Sequence, residues 1–455
     1  MSIEKISKAQ SKLIKNCKNY LYNEGKKNID ISISPLCFFT AWAETPGYFK
    51  TLNLYQNKYG FNNFFILKNL ISISKNHNLK IFFNQARMPK EEINLIISYS
   101  RRNDFDKHGN FTDKFFNFNS KNKNFYWVLI SLDNYVPKNI RENIAIIANK
   151  KIIFKYDLFY LFKSFINLII KQKCNLNKIS HFCWEENNYS SKISYLIKKL
   201  LKILKIKNLI LNYEGVPFQN QILSDVKKLF NNDVKTFGYL HCAPWPLQLD
   251  LIYKKQPLDN LIVSGWQQKK VLKKFFGWQK KKISVIPSLR FNKSKKKEFN
   301  GYLFTPYKLD KDNDYLRRLE DYFKFNKNQN LSKILVRVHP LNQKSKKHLE
   351  FKNECNRILS RYSKKKNSKT NSKYSIFLGS ATGVCIQALE EGTKIIHFPN
   401  NEVVDVFSNE FWPSLGIKKI GEKIYEYRIK QKQKTFIVIN EKKKFNKYFL
   451  PLLKK

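Results

Sequence analysis

With 455 residues, 42% of them hydrophobic and 15% aromatic, the chain excludes both a disordered composition and a single ordinary core, and predicts two domains. Its formal charge of +50 comes nearly all from lysine spread along the whole chain, beside abundant Asn, Ile, Phe and Tyr, a mixture that an AT-rich coding sequence also produces. The charge therefore names no partner by itself, and leaves an anionic membrane face, an acidic glycan and nucleic acid as the classes it can meet. Seven Cys at irregular positions (Cys17, Cys37, Cys174, Cys183, Cys242, Cys355, Cys385) form no CxxC pair and no disulfide framework, which points to a reducing cytoplasm. The start of the chain is charged where an export signal needs an apolar core. The most apolar helical stretch, Leu158 to Ile170, carries Lys163 and falls short of the roughly 20 residues a span requires. Membrane contact, if any, is expected to be peripheral.

In chain order, residues 1–26 read as an exposed amphipathic helix. Ile29 to Trp42 reads as a strand or buried segment, and Tyr48 to Tyr59 and Phe64 to Lys75 have helical spacing. Strands are expected at Leu79 to Phe83 and Ile93 to Ser100, the second followed by the polar loop RRNDFDKHGNF. Loops after the carboxyl ends of parallel strands are where α/β proteins hold ligands, so Arg101, Asp104 and His108 are candidate acceptor contacts, with a solvated charged loop as the plain alternative. Apolar runs continue at Asn124 to Leu132 and Ile144 to Phe154. Helices are expected at Tyr156 to Ile170 and Lys192 to Leu204. The strand Asn208 to Asn212 delivers Glu214-Gly215 at its end. A helix from Asn220 to Phe230 and a strand from Val234 to Leu240, ending in His241, come next. The first domain closes with a strand at Asn260 to Ser264, a helix at Gln267 to Phe276 and a strand at Ile283 to Ile286.

The lysine-rich, non-periodic run Phe291 to Asn300 reads as a linker. Residues 1–290 then form the first domain and 301–435 the second, with 436–455 free to pack back on the first. In the second domain a strand at Gly301 to Pro306 and a helix at Asp312 to Phe323 precede the strand Lys333 to Val338, which hands over to His339-Pro340. A basic helix follows, and Ser363 to Lys373 reads as a loop. The unit Phe377 to Pro399 is a strand, a glycine-flanked turn (Gly379, Ser380, Ala381, Thr382, Gly383), a helix with apolar Val384, Cys385, Ala388 and Leu389, a terminating Gly392, and a second strand. Such a turn frees backbone N–H groups at a helix N-terminus for a phosphate, although Ser380 and Thr382 also suit plain capping. Glu402 to Phe407 and the region from Ile417 on carry short strands and a helix. Strands alternating with helices predict α/β layers with parallel pairing.

Glu214-Gly215, His339-Pro340 and the glycine loop thus all fall at strand carboxyl ends, and a cleft between two domains would bring them together. Each has a bland reading: Glu214 a surface carboxylate, His339 a cap, His241 a structural histidine. Together they suit transfer of a sugar from a nucleotide, which needs a base for an acceptor hydroxyl and stabilisation of the departing phosphate. Metal chemistry finds little support. There is no HExxH, and of the DxD triplets only Asp104-Phe105-Asp106 follows a strand, where a salt-bridged loop is the favoured reading over Mg²⁺. No Walker A loop or GxGxxG occurs.

The pairing of an acidic-Gly element with His-Pro and a Ser/Thr-containing glycine loop resembles the motif set of bacterial GT-B sialyltransferases and Kdo transferases. A longer resemblance, to a bacterial surface-carbohydrate biosynthesis family of probable GT-B glycosyltransferases, rests on AWAETP (Ala41 to Pro46), SYSRRNDFDKHGNFTDKFF (Ser98 to Phe116), YEGVPFQNQIL (Tyr213 to Leu223) and FGYLHCAPWPLQL (Phe237 to Leu249). That resemblance implies two Rossmann-like domains facing a cleft and a metal-independent transfer with Glu214 as base; His241, which also ends a strand facing the expected cleft, is a second candidate for acceptor or leaving-group contact. It also implies a donor held by His339, Pro340, Gly379, Ser380, Thr382 and Gly383. Where the family shows Glu-Asn this chain has Glu214-Gly215. Where many GT-B enzymes carry Glu in the last helix it has Gln387, which weighs against a retaining mechanism with a common hexose donor.

The expectation is therefore a cytoplasmic glycosyltransferase of surface-polysaccharide synthesis. It uses a nucleotide-sugar donor, a CMP-sugar among those the resemblance allows, and no cofactor. Its acceptor is a glycan or lipid-linked glycan, and its basic surface meets an anionic inner membrane. The competing readings are a basic nucleic-acid-binding protein, disfavoured because the lysines are not gathered on one element, and an epimerase-like or inactive protein of the same fold.

Overall fold

The structure is a computed structural model, and it describes residues 1–27, 79–84, 88–116, 118–149, 166, 185–242, 244–254, 258–292, 301–307, 309, 314–326, 334–339, 342–363, 376–378, 383–430, 439–440 and 444–454. Every structural statement below concerns these residues. The segments expected at Ile29 to Trp42, Tyr48 to Tyr59 and Phe64 to Lys75, and the helix expected at Tyr156 to Ile170 apart from the helical residue Ile166, lie outside them.

The chain is mixed α/β, built on a large, mostly parallel sheet. Helix α1 spans Ile3–Lys27. Strands β1 (Leu79–Phe83), β2 (Ile93–Ser100), β3 (Thr112–Asp113), β4 (Phe118–Asn119), β5 (Phe125–Ser131) and β6 (Ile144–Asn149) follow. Helix α2 (Glu185–Leu201) leads into β7 (Ile206–Asn212), α3 (Pro217–Leu229), β8 (Lys235–Tyr239), β9 (Asn260–Val263), α4 (Trp266–Phe275), β10 (Ile283–Val285) and β11 (Ser288–Asn292). The eight-stranded sheet runs β1-β6-β5-β2-β7-β8-β9-β10, all parallel except the edge strand β1. Both its faces are covered, which is why its strands read as unbroken apolar runs rather than alternating ones. In β5 every residue from Phe125 to Ser131 is buried. Tyr126, Val128 and Ile130 enter one core, and Phe125, Trp127 and Leu129 the other.

The second part comprises β12 (Tyr302–Phe304), α5 (Tyr315–Phe325), β13 (Leu335–Arg337), α6 (Lys346–Tyr362), β14 (Ile376–Leu378), α7 (Gly383–Glu390), β15 (Ile395–His397), α8 (Glu402–Asp405), β16 (Leu415–Gly421) and β17 (Ile424–Ile429). Its six-stranded sheet is ordered β13-β12-β14-β15-β17-β16. The first four strands are parallel, and an antiparallel hairpin forms the edge. Strand β18 (Ile439–Asn440) pairs with β11, whose last two residues, Phe291 and Asn292, enter the run expected to be a linker, while residues 293–300 lie outside the described residues; α9 (Lys444–Lys454) ends the described chain.

Two helices tie distant parts of the chain together. Helix α1 is not the exposed helix its charge suggests: Ile6, Leu13, Ile14, Cys17, Tyr20 and Leu21 are buried. The fully buried Gln10 amide donates to the carbonyls of Val403 and Val406, both at 2.8 Å. Helix α9 sends Phe449 and Leu453 into the core beneath the large sheet, against Phe116 and Phe118, and the Leu453 carbonyl accepts from Asn208 on β7.

Candidate functional site

Strand order decides where the site lies. From the central strand β2 the chain builds outward to β5 and β6 on one side and, after α2, to β7 through β10 on the other. The crevice at the carboxyl ends of β2 and β7 is thus the point where the order reverses, the usual seat of ligands in such sheets. Parallel pairing sets Asn212 of β7 opposite Tyr239 of β8, and the Tyr213 N–H reaches the Tyr239 carbonyl at 2.9 Å. Two residues beyond that pair on each strand are Glu214 and His241, which the register brings side by side. His241 Nε2 lies 3.4 Å from Glu214 Oε1, with the side chains 9% and 11% exposed. Cys242 Sγ is 3.4 Å from the same carboxylate oxygen and 3.3 Å from the same ring nitrogen.

A knot of buried amides holds this turn. Gln219 Oε1 accepts from the N–H groups of Glu214 (2.9 Å), Gly215 (3.1 Å) and Val216 (3.3 Å), and its Nε2 donates to the Asn212 carbonyl at 2.6 Å. Gln219 therefore supplies the cap that α3, opening with Pro217 after Val216, lacks from an N-cap side chain. Asn220 donates to the Gly215 carbonyl and accepts from the Tyr213 hydroxyl. Burial, with the Asp250 carboxylate adding to it, pushes the Tyr213 phenol up. Gly215 has φ +79°, and a Cβ there would sit 2.6 Å from the Asp250 carbonyl oxygen. Both the backbone and the space demand glycine after Glu214.

The imidazole is fixed from the loop after β2. Asp113 is buried, and its carboxylate accepts from the N–H groups of Phe115 (2.8 Å) and Phe116 (3.2 Å). Burial pushes its carboxyl up to about 6 against the pull of those donors. The turn so formed sets the Phe115 ring edge-on to His241, centroids 4.6 Å apart. Glu214 and Cys242 also line a cavity of about 40 Å³ with Trp245, Gln248 and Asp250. Pro246, between lining residues, accepts from the Trp412 indole at 3.0 Å, so the second part of the chain braces the rim.

The other expected site residues fall elsewhere. Asp104 accepts from the Arg101 N–H at 2.8 Å and pairs with Lys114. In the same DxD triplet Asp106 takes the Asn110 amide, the Asn110 N–H and the His108 N–H, which hold its carboxyl down at about 2. The two carboxylates serve different partners, a hydrogen-bonded loop in place of a paired metal clamp. His108 lines a separate cavity of about 1060 Å³ with Lys121, Lys123, Lys138 and Arg141, near the amino ends of β5 and β6. It is not gathered with Glu214.

In the second sheet His339 follows the carboxyl end of β13, exposed, its ring edge-on to Tyr307 at 4.9 Å. Pro340, Gly379, Ser380 and Thr382 lie outside the described residues, and Gly383 is the first residue of α7. That helix buries Cys385, Ile386, Ala388 and Leu389. It ends at Gly392 (φ +82°), with Thr393 N–H closing onto the Ala388 carbonyl. Gln387 donates to Glu391. Because β12 alone separates β13 from β14 and all three run parallel, His339 and the carboxyl end of β14 lie at the same edge of this sheet. Buried in that sheet, His397 bonds the Tyr427 hydroxyl at 2.9 Å and is driven down to about 3, by burial first and by Arg318 second, so it is a packing residue.

Sequence reasoning found Glu214 and His241 but passed over Cys242, Gln219, Asp113 and Phe115. Only Cys242 had a usable signal, its position beside His241 at a strand end. No described helix is long and apolar enough to cross a membrane. No protein-family model matches the chain, and no curated protein matches it.

Proposed function

We propose that the chain is a glycosyltransferase with a GT-B-like arrangement, moving a sugar from a nucleotide donor to a surface-polysaccharide acceptor. The observation that supports this most is the Glu214 carboxylate, held beside His241 at the strand-order reversal of a parallel sheet. In this reading the acceptor hydroxyl gives its proton to Glu214 as its oxygen attacks the anomeric carbon. The bond from that carbon to the donor's phosphate oxygen breaks, and its electron pair leaves with the nucleotide. His339 and the amino end of α7 stabilise the phosphate charge. No step passes through a metal. The basic surface meets anionic lipid or the phosphate of a lipid-linked acceptor.

The test combines a thermal-shift screen of UDP, GDP, CMP and their sugars with two variants assayed on the donor so found. Glu214→Gln should lower turnover by about 10²–10⁴-fold, the usual worth of a general base, with nucleotide affinity within about twofold. His339→Ala should weaken nucleotide binding about tenfold. Unaltered turnover in the first and unaltered affinity in the second would overturn the assignment. Tight, steeply salt-dependent RNA binding with no response to any nucleotide sugar would replace it with the nucleic-acid reading.

A further inference from the structure

The geometry points to a transition-metal site at Glu214, His241 and Cys242, suited to Zn²⁺. Three donor atoms of the types zinc takes, a thiol sulfur, an imidazole nitrogen and a carboxylate oxygen, lie 3.3, 3.4 and 3.4 Å apart. With bonds of about 2.0–2.3 Å, a tetrahedral zinc ion spaces its S, N and O ligands about 3.3–3.6 Å apart. The trio therefore matches one face of that tetrahedron with shifts of no more than about 0.3 Å. A sulfur donor selects Zn²⁺, or Co²⁺ in its place, over Mg²⁺ and Ca²⁺, which prefer all-oxygen shells.

The surroundings fit as well. His241 and Cys242 lie two and three residues past the end of β8 and Glu214 two past the end of β7, so paired strands anchor the short turns that carry all three. Gln219 clamps the turn that bears Glu214, and Phe115 fixes the plane of the His241 ring. Two of the three ligands, Glu214 and Cys242, also line the cavity of about 40 Å³, which is open space beside the donors for a fourth ligand. A water needs about 10–15 Å³ of such space, so the cavity has room for a metal-bound water. Three protein ligands with one open position is the arrangement of reactive rather than purely structural zinc. On binding, the Cys242 thiol proton leaves to solvent and the thiolate ligates.

The site does not depend on the transfer reading, and it constrains that reading: with an ion bound, the Glu214 oxygen is a ligand and no longer a base, so Zn²⁺ inhibits transfer. The test uses the full chain without a histidine tag, dialysed against Co²⁺. One equivalent of Co²⁺ should bind with a thiolate-to-metal charge-transfer band in the near ultraviolet. That band should vanish in Cys242→Ser, and binding should weaken by at least about tenfold in His241→Ala. In the unaltered chain, Zn²⁺ should slow alkylation of Cys242 at least about tenfold, mapped by mass spectrometry, and this holds the test open where a variant misfolds. Absence of the band from the unaltered chain, its persistence in a folded Cys242→Ser chain, or alkylation indifferent to Zn²⁺ would each overturn the proposal. None of these readouts involves sugar transfer, so a failed transfer assay and a failed metal site are told apart.

Discussion

Gln219 accepts three main-chain N–H groups with one oxygen and donates to the Asn212 carbonyl, in a setting 2% exposed. Gln219→Leu strands those four groups, each buried orphan costing about 1–3 kcal/mol, so urea unfolding should register a loss of at least about 3 kcal/mol. Gln219→Glu keeps the acceptor and loses only the donor, and should fall between. Asp113 makes a second prediction. Its folded pKa, pushed to about 6, lies above the unfolded 3.8, so its contribution is complete below about pH 4 and lost as pH rises through 6. The difference in stability between the natural chain and Asp113→Asn should shrink by about 3 kcal/mol over that window. The comparison must be differential, because His397, depressed to about 3, pulls stability the other way, upward from pH 3 to its unfolded value near 6.5. Glu214 and His241 were legible as polar residues at strand ends. Gln219 and Asp113 were not, since their roles exist only once a turn folds around each side chain.

At the scale of elements, the strands of the large sheet could be read to within about two residues, apart from the end of β6, expected to run to Phe154 and described only to Asn149, because burial on both faces writes itself as an apolar run bounded by polar turns. Helix α1 was also legible as a helix, yet its lysines suggested a solvated one. Its partner lies 393 residues away at Val403, and no local pattern announces a distant carbonyl pair. Gln10→Ala removes both donors to Val403 and Val406, and should cost about 2–3 kcal/mol and free α1. Hydrogen exchange that accelerates across residues 3–21 while the β5 amides stay protected would bear this out, and uniform exchange would refute it. The short helix α8 appeared from sequence as part of an ambiguous stretch. Its cap, Asn401 accepting from Val403 and Val404, works over a single turn, too brief for periodicity to register.

Across the whole molecule, one buried cluster runs from α1 through the face of the large sheet to Cys385, Trp412 and Tyr427 of the second part. The second part also braces the site through Trp412 and Pro246, while α9 returns to the underside of the first. The charge of +50 hid this organisation, since lysines spread along the whole chain give no clue to which surfaces meet. Phe449→Ala should cost about 3–5 kcal/mol, the usual range for a fully buried aromatic. Residues 1–292 made alone should aggregate, and making them together with residues 301–455 should restore solubility. A soluble, folded first fragment would refute the interdependence.

The docking of α9 sets an order on biosynthesis. Phe116 and Phe118 leave the ribosome early, yet the Phe449 and Leu453 side chains that cover them are among the last described residues to be made. From the synthesis of β10, the last strand of the largest sheet, until α9 is made, the nascent chain therefore carries an aromatic patch on the underside of that sheet. The patch is open to association with other chains until residues 444–454 emerge and seal it.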